Sequence, residues 1–311
     1  MVDGILNINK PTGRTSFSIV ALVKRLSGER RVGHAGTLDP DASGVLPVCL
    51  GQGTRIVQFL MDTTKSYRAE IELGVTTDTY DASGEITRQT DPSGISAEQV
   101  ESALAPFRGD IQQIPPDYSA VKYHGRPLYK WARAGIKVET KSRLAKIYRL
   151  DLLDFKSPVV TIEVECGKGT YIRSLAHDLG QNLGCGACLK SLVRLHCGPF
   201  HISNSISLPE LEEAFHYGYW ERLLRPIDTV LSQWAAVVVS DDTGRLIRNG
   251  SPLVLEKDDT LALPPADNRC RAYTSDGQFI GLLRFDPERG QWRPEKVFGQ
   301  PSCHSQSKQA G

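Results

Sequence analysis

The sequence predicts a mixed α/β domain followed by a small β unit, and three observations carry that prediction. The chain has 311 residues, against roughly 100–200 for a typical domain, so two domains are expected, one of them large. Period-two and period-3.6 hydrophobic patterns alternate through residues 1–230, which excludes an all-helical or an all-β domain. From Trp234 onward, short strand-like runs are separated by Asp-Asp-Thr-Gly, Asn-Gly, Pro-Pro and Asp-Gly turns, the signature of a small β unit.

Taken in order, Gly4–Asn9 reads as a strand. Thr15 or Ser16 can cap a helix running to about Ser27, with Phe17, Val20, Ala21, Val23 and Leu26 as its apolar positions. Residues 66–73 alternate, with Tyr67, Ala69, Ile71 and Leu73 on one side and Ser66, Arg68, Glu70 and Glu72 on the other, as a half-buried strand requires. Ser96-Ala-Glu-Gln opens a helix, Val159–Cys166 is a further strand, Thr170–Leu183 a helix and Leu208–Phe215 a short acidic helix. Leu224-Arg-Pro-Ile-Asp228 is the expected junction. Residues 1–230 then form the large domain, 231–299 the small one, and the polar residues 300–311 a disordered tail.

Composition narrows the class. Hydrophobic residues make up 40% and charged residues 23%, which describes an ordinary globular protein. No run approaches the 18 or so apolar residues of a membrane span, and no amino-terminal targeting segment is evident, so a cytoplasmic protein without a membrane partner is expected. Seven cysteines fit reduced thiols better than a disulfide framework. Cys185-Gly-Ala-Cys188 is the one close pair, with Cys197, His177 and His196 the nearby groups that could complete a metal site, but small structural thiols are the favoured reading.

The net charge is +1, yet it is unevenly spread. Nine Lys/Arg against six acids give residues 1–70 a charge of +3, and two Arg against eight acids give residues 71–114 a charge of −6. Residues 115–150 hold nine Lys/Arg, among them Lys122, Arg126 and Lys130, against two acids, for +7. Tyr118, Tyr123, Tyr129, Trp131 and Tyr148 interleave with these cations. Phosphate contacts combined with base stacking need that mixture, although a solvated surface hairpin and helix would also carry it.

The most distinctive segment is Arg31-Val-Gly-His-Ala-Gly-Thr-Leu-Asp39-Pro-Asp-Ala-Ser-Gly-Val-Leu-Pro47. Three Gly and two Pro around the Asp39-Pro-Asp41 sequence predict a rigid loop, and Pro40 biases the Asp39 backbone away from the helical region. This segment resembles the catalytic loop of the tRNA pseudouridine-55 synthases of the TruB family, Gly-His-x-Gly-x-Leu-Asp-Pro-x-Ala-x-Gly-x-Leu-Pro. The resemblance continues in order through Gly4-Ile-Leu-Asn-Ile-Asn-Lys-Pro-Thr-Gly-x-Thr-Ser16 and Lys65-Ser-Tyr67 with Leu73-Gly-x-x-Thr-Asp-Thr-x-Asp81. It extends through Pro115-Pro-Asp-Tyr-Ser-Ala-Val-Lys122, Gly169-Thr-Tyr-Ile-Arg173-Ser-Leu and Leu192-Val-Arg-Leu-His-Cys-Gly-Pro-Phe200.

The resemblance implies the pseudouridine synthase fold, a largely antiparallel central sheet with flanking helices, and a PUA-like RNA-binding unit at the carboxyl end. It implies an isomerase that breaks the uridine N1–C1′ bond, turns the detached base and rejoins it through C5, with no metal and no small-molecule cofactor. Asp39 stands at the family's essential aspartate, Arg173 at the arginine that pairs with it, and Tyr67 at the tyrosine that stacks on the flipped base. His34, Lys10, Tyr171 and Leu192 match substrate or pocket positions, and Lys122, Arg126 and Lys130 fall in the segment expected to clamp the T-arm of tRNA. A monomer is expected. Two other readings stand beside this one: a non-catalytic tRNA-binding or RNA-folding protein, and a glycosidase or nucleoside hydrolase using Asp39 and Asp41 about 5–5.5 Å apart.

Overall fold

A computed structural model describes residues 2–255 and 268–299. The tail expected at 300–311 and the Pro264-Pro265 turn lie outside the described residues. The chain enters through β1 (Gly4–Lys10) and continues into α1 (Ser16–Ser27). Thr15 caps this helix by accepting the Ser18 N–H, and Gly28 closes it in left-handed backbone. Ser16, Ile19, Val20 and Val23 are its buried residues. The expected stripe is therefore corrected: Phe17, 75% exposed, and Ala21 face solvent, because they lie roughly 100° or more around the helix axis from that buried row.

Next come β2 (Val32–His34) and β3 (Ser43–Leu50). The expected rigid loop of 31–47 is thus strand at both ends, leaving only residues 35–42 as loop. The apolar run Val45, Leu46, Val48 zips β3 onto β1 from Gly4 opposite Leu50 to Lys10 opposite Gly44. After α2 (Val57–Asp62), β4 (Lys65–Leu73) alternates as its sequence predicts, with Ala69, Ile71 and Leu73 buried. A small hairpin of β5 (Val75–Thr77) and β6 (Ile86–Gln89) leads to α3 (Ala97–Leu104), which Ser96 and Gln99 close with a reciprocal capping box. Then follow β7 (Gly109–Gln113), the hairpin of β8 (Lys122–Tyr123) and β9 (Arg126–Pro127), and α4 (Leu128–Ala132).

The long antiparallel pair β10 (Arg143–Lys156) and β11 (Val159–Cys166) precedes α5 (Ile172–Asn182), β12 (Ala187–Cys197), β13 (Phe200–His201) and α6 (Leu208–His216). The main sheet runs β1-β3-β12-β4-β11-β10-β7, with β2 beside β3 and β13 beside β12. Among its described pairings only β12 with β3 is parallel, so the sheet is mixed and largely antiparallel. That parallel contact brings the strands so close that a Cβ on Gly44, whose φ is +102°, would lie 2.2 Å from the Arg194 carbonyl oxygen.

At the junction Arg225 pairs back onto Ile5, and the chain forms a second sheet in the order β14 (Ala235–Val238), β15 (Arg269–Tyr273), β16 (Phe279–Asp286) and β17 (Gln291–Val297). The Asp241-Asp-Thr-Gly244 turn expected there is instead the start of α7 (Asp241–Arg248). Ser240 caps it, its first turn carries Asp241 and Asp242 and its last turn Arg245 and Arg248, so caps and helix dipole outweigh the turn-like composition.

Two apolar cores lie under the main sheet, one against α3 and α5 and the other against α1 and α6, and Tyr67 and Leu192 pack against both. A further core joins the two sheets through Ile5, Phe59, Trp234, Leu282 and Phe298, with Phe59 and Trp234 edge to face at 5.3 Å.

Candidate active site

The loop that carries Asp39 is pinned on both sides of that residue. The Ser16 hydroxyl accepts the Leu38 N–H at 2.9 Å and donates to the Leu38 carbonyl at 3.0 Å. On the other side, the Pro40 carbonyl accepts the Gly13 N–H at 2.9 Å and the Lys10 ammonium at 3.1 Å. Lys10 is wholly buried and also donates to Pro11 O at 2.9 Å and Arg14 O at 2.7 Å. Its three donors are spent on backbone, so it sets the shape of the loop. Burial lowers its pKa to about 8, while Asp41 and Asp39 pull it back upward.

Arg173 sits in the first turn of α5, where the helix dipole opposes a cation by roughly 0.3–1 kcal/mol. The fold answers with two carboxylates: Nε lies 3.1 Å from Asp39 Oδ2 and Nη1 lies 3.3 Å from Asp81 Oδ2. The guanidinium also donates to Thr79 O at 3.3 Å and Tyr118 O at 2.9 Å. Its side chain is 9% exposed while Asp39 keeps 47%, so the pair has a dry side and an open side. Burial pushes the Asp39 carboxyl above its usual value, Arg173 draws it back, and Asp81 and Asp41 push it up again. The outcome is a half-exposed carboxylate held on its inner side by a buried guanidinium.

Tyr67 packs from β4 against both cores, and burial pushes its phenol up to about 12, against a downward pull from Arg194, so it stays protonated at neutral pH. Leu192 lies beside it, opposite Ala69 in the register of β12 with β4. The His34 imidazole is pushed down by burial and by the Arg194 charge, and its buried Nδ1 has no partner. Tyr171 stands at the N-cap of α5, where its N–H donates to Gln113 Oε1 at 3.0 Å and its carbonyl accepts from Gln113 Nε2 at 3.2 Å. Burial raises its phenol, which also feels Arg173 and Asp39.

Lys122, Arg126 and Lys130 are exposed on the β8–β9 hairpin and α4, outside the Asp39 cluster. Arg126 stacks over Trp131 at 4.9 Å and donates to Lys130 O at 3.2 Å. The arm is tied to Arg173, because Tyr118 at its base accepts a hydrogen bond from that guanidinium.

Two site groups escaped sequence reasoning. Asp81 was within reach of it: its Oδ1 accepts from Thr79 Oγ1, Ser83 N and Ser83 Oγ at 2.7, 3.1 and 2.6 Å, a turn that the Asp-Thr-x-Asp spacing could have signalled. Arg194 was legible only as the second residue after Leu192 on one strand face. The Cys185 and Cys188 thiols are buried, and among the described residues no group of three or more His, Cys, Asp or Glu is arranged to hold a metal ion.

Residues 24–172 match the model of the TruB family pseudouridylate synthase N-terminal domain, and residues 173–232 that of the tRNA pseudouridylate synthase B C-terminal domain. The chain is 46% identical over 297 residues to the tRNA pseudouridine synthase B of Dehalococcoides mccartyi, covering 96% of this chain and 97% of that protein. It is 42% identical to the protein of that name from Clostridium tetani, over 90% of this chain and 95% of the other. Among solved structures, an H/ACA RNP bound to a substrate RNA containing 2′-deoxyuridine superposes with a TM-score of 0.70 at 24% identity, over 95% of this chain and 85% of that one, a likeness of fold. The chain belongs to the TruB family of pseudouridylate synthases. That membership makes it an enzyme and sets aside both the hydrolase reading built on Asp39 with Asp41 and the purely non-catalytic one.

Proposed function

We propose that this enzyme converts uridine to pseudouridine in the T-loop of tRNA, at position 55, acting as a cytoplasmic monomer without cofactor. The observation that carries the reading is the Asp39–Arg173 pair, 3.1 Å apart, with Arg173 buried and Asp39 half exposed. Breaking the N1–C1′ bond leaves positive charge on C1′, and an anionic carboxylate there stabilises it, either by bonding to C1′ or by taking the adjacent ribose proton. Arg173 keeps Asp39 ionised for that step.

The detached base must turn without leaving. Tyr67 and Leu192 supply a ring and an apolar wall against which it rotates, C5 then bonds to C1′, and the C5 proton is released. Extruding a stacked uridine costs a few kcal/mol. His34 at the loop and the exposed Lys122, Arg126 and Lys130 on the arm offer contacts to the RNA that offset it, with Tyr171 and the Lys10-braced loop shaping the entrance. Residues 1–230 form the catalytic domain in this reading, and 231–299 a PUA-like RNA-binding unit.

The test is tritium release from RNA labelled at uridine C5. Wild type should release tritium from a T-arm fragment, and Asp39→Asn should release essentially none while still binding the RNA. Free uracil among the products, or release that ignores the T-loop sequence, would sink this reading.

A further inference from the structure

Tyr80 is held in a backbone conformation that a bulky residue seldom adopts. Its φ is +64°, in the left-handed region that glycine and asparagine tolerate and that an aromatic residue occupies only at a cost. Such a conformation persists where its surroundings over-determine it. Two partners do so here. Toward β12, Tyr80 O accepts the Leu189 N–H at 2.9 Å and Leu189 O accepts the Ala82 N–H at 2.9 Å, while the Thr77 hydroxyl donates to Asp81 O at 2.7 Å. Toward α5, the Tyr80 ring lies on the His177 imidazole, with centroids 3.9 Å apart and planes 16° from parallel.

The two rings meet uncharged. Burial lowers the His177 pKa below its ordinary value, and its buried Nδ1 has no hydrogen-bond partner. Burial, together with the Asp117 and Asp178 charges, raises that of the Tyr80 phenol. Face-to-face packing therefore joins them.

His177 follows Arg173 by four residues, so the two side chains lie one turn apart on the same face of α5. Arg173 in turn donates to Thr79 O at 3.3 Å and pairs with Asp81 Oδ2 at 3.3 Å, groups from the residues on either side of Tyr80. Three consecutive residues of one turn grip two residues of one helix face.

We infer that the Tyr80–His177 stack is a clamp: it presses the 79–81 turn onto α5 so that Thr79 O and Asp81 meet Arg173, and both rings are positioning residues for the Arg173–Asp39 pair. A guanidinium is a rigid plane, so the contacts on its Nη1 side fix where its Nε faces Asp39. The inference rests on the reading that the Asp39–Arg173 pair is the reaction centre.

One arm of the experiment needs no RNA. With 15N-labelled arginine, NMR reports the hydrogen exchange of Arg173 Nε–H in the unaltered chain, in Tyr80→Asn and in Tyr80→Phe. Asn tolerates the left-handed backbone but has no ring, whereas Phe keeps the ring. Exchange should be at least about fivefold faster in Tyr80→Asn and unchanged in Tyr80→Phe. Unchanged exchange in a Tyr80→Asn chain with native circular dichroism overturns the inference. Should that variant fail to fold, His177→Ala carries the test with the same expectation, because it removes the stack and leaves the backbone at 80 untouched.

In the second arm, Tyr80→Asn should lower kcat about tenfold with KM for the RNA within about threefold, and Tyr80→Phe should restore the rate. In an Asp81→Asn background the Tyr80→Asn change should have no further effect, since the clamp acts through that carboxylate. An equal loss in both backgrounds, or a Phe variant as slow as the Asn one, overturns the inference. If the unaltered enzyme releases no tritium, it is the reading of function that fails, while the Arg173 exchange still decides on the clamp.

Discussion

Arg173 illustrates how much a single residue's surroundings decide. Its planar fork meets Asp39, Asp81 and two carbonyls at once, a load that a lysine cannot carry. Arg173→Lys should therefore reduce kcat by at least about a hundredfold, read by C5 tritium release, with RNA affinity nearly unchanged. Lys10 makes a prediction of a different kind. Its pKa falls from 10.5 to about 8 on burial, so between those values the unfolded chain binds more protons than the folded one. Stability from this group must then rise with pH across that window. Urea unfolding at pH 7.5 and 10, comparing wild type with Lys10→Met, should show the difference moving in favour of wild type at the higher pH. Asp39, Arg173 and Tyr67 were legible in the sequence because each lies in a long motif. The hydrogen bonds of Arg194 to Val45 O and Gly36 O were not, since those carbonyls meet it only in three dimensions.

At the scale of elements, local signals were read well where caps and period agreed. The strand at Val159–Cys166 is found at those residues, and Ser96 caps α3 with the Gln99 box. Ser96→Ala should cost about 0.5–2 kcal/mol in chemical denaturation and leave turnover untouched, since the capping contacts join only Ser96 and Gln99 and involve no member of the Asp39 cluster. Two elements were misjudged for physical reasons. In α1 hydrophobicity alone nominated Phe17, whereas burial follows helical phase. In α7 the Asp-Asp-Thr-Gly run looks like a turn until Ser240 is recognised as its cap. Gly44 belongs to this scale as well, because β3 and β12 can pair in parallel only if no side chain stands between them. Gly44→Ala should lower both stability and kcat, the former by about 3 kcal/mol or more, a loss visible as a lower Tm.

For the molecule as a whole, the near-zero net charge hides a division of labour. The acidic 71–114 segment supplies Asp81, while the +7 segment at 115–150 carries the exposed Lys122, Arg126 and Lys130. Replacing those three by alanine should weaken RNA binding and make its log–log dependence on salt shallower by about 2, because fewer counterions are released. The rate with saturating RNA should change much less, since none of the three sits at Asp39.

The Asp39 cluster is also assembled from pieces of chain far apart in sequence. Asp39 lies on the loop before β3, Asp81 in the turn after β5, and Arg173 on α5, and they meet only once β12 has inserted between β3 and β4. Contacts so remote in sequence form late in folding, after loop closure has been achieved along the whole sheet. Refolding chains should regain helical circular dichroism well before they regain catalytic competence. A nascent or partly unfolded chain can then display its basic arm before Asp39, Asp81 and Arg173 have met.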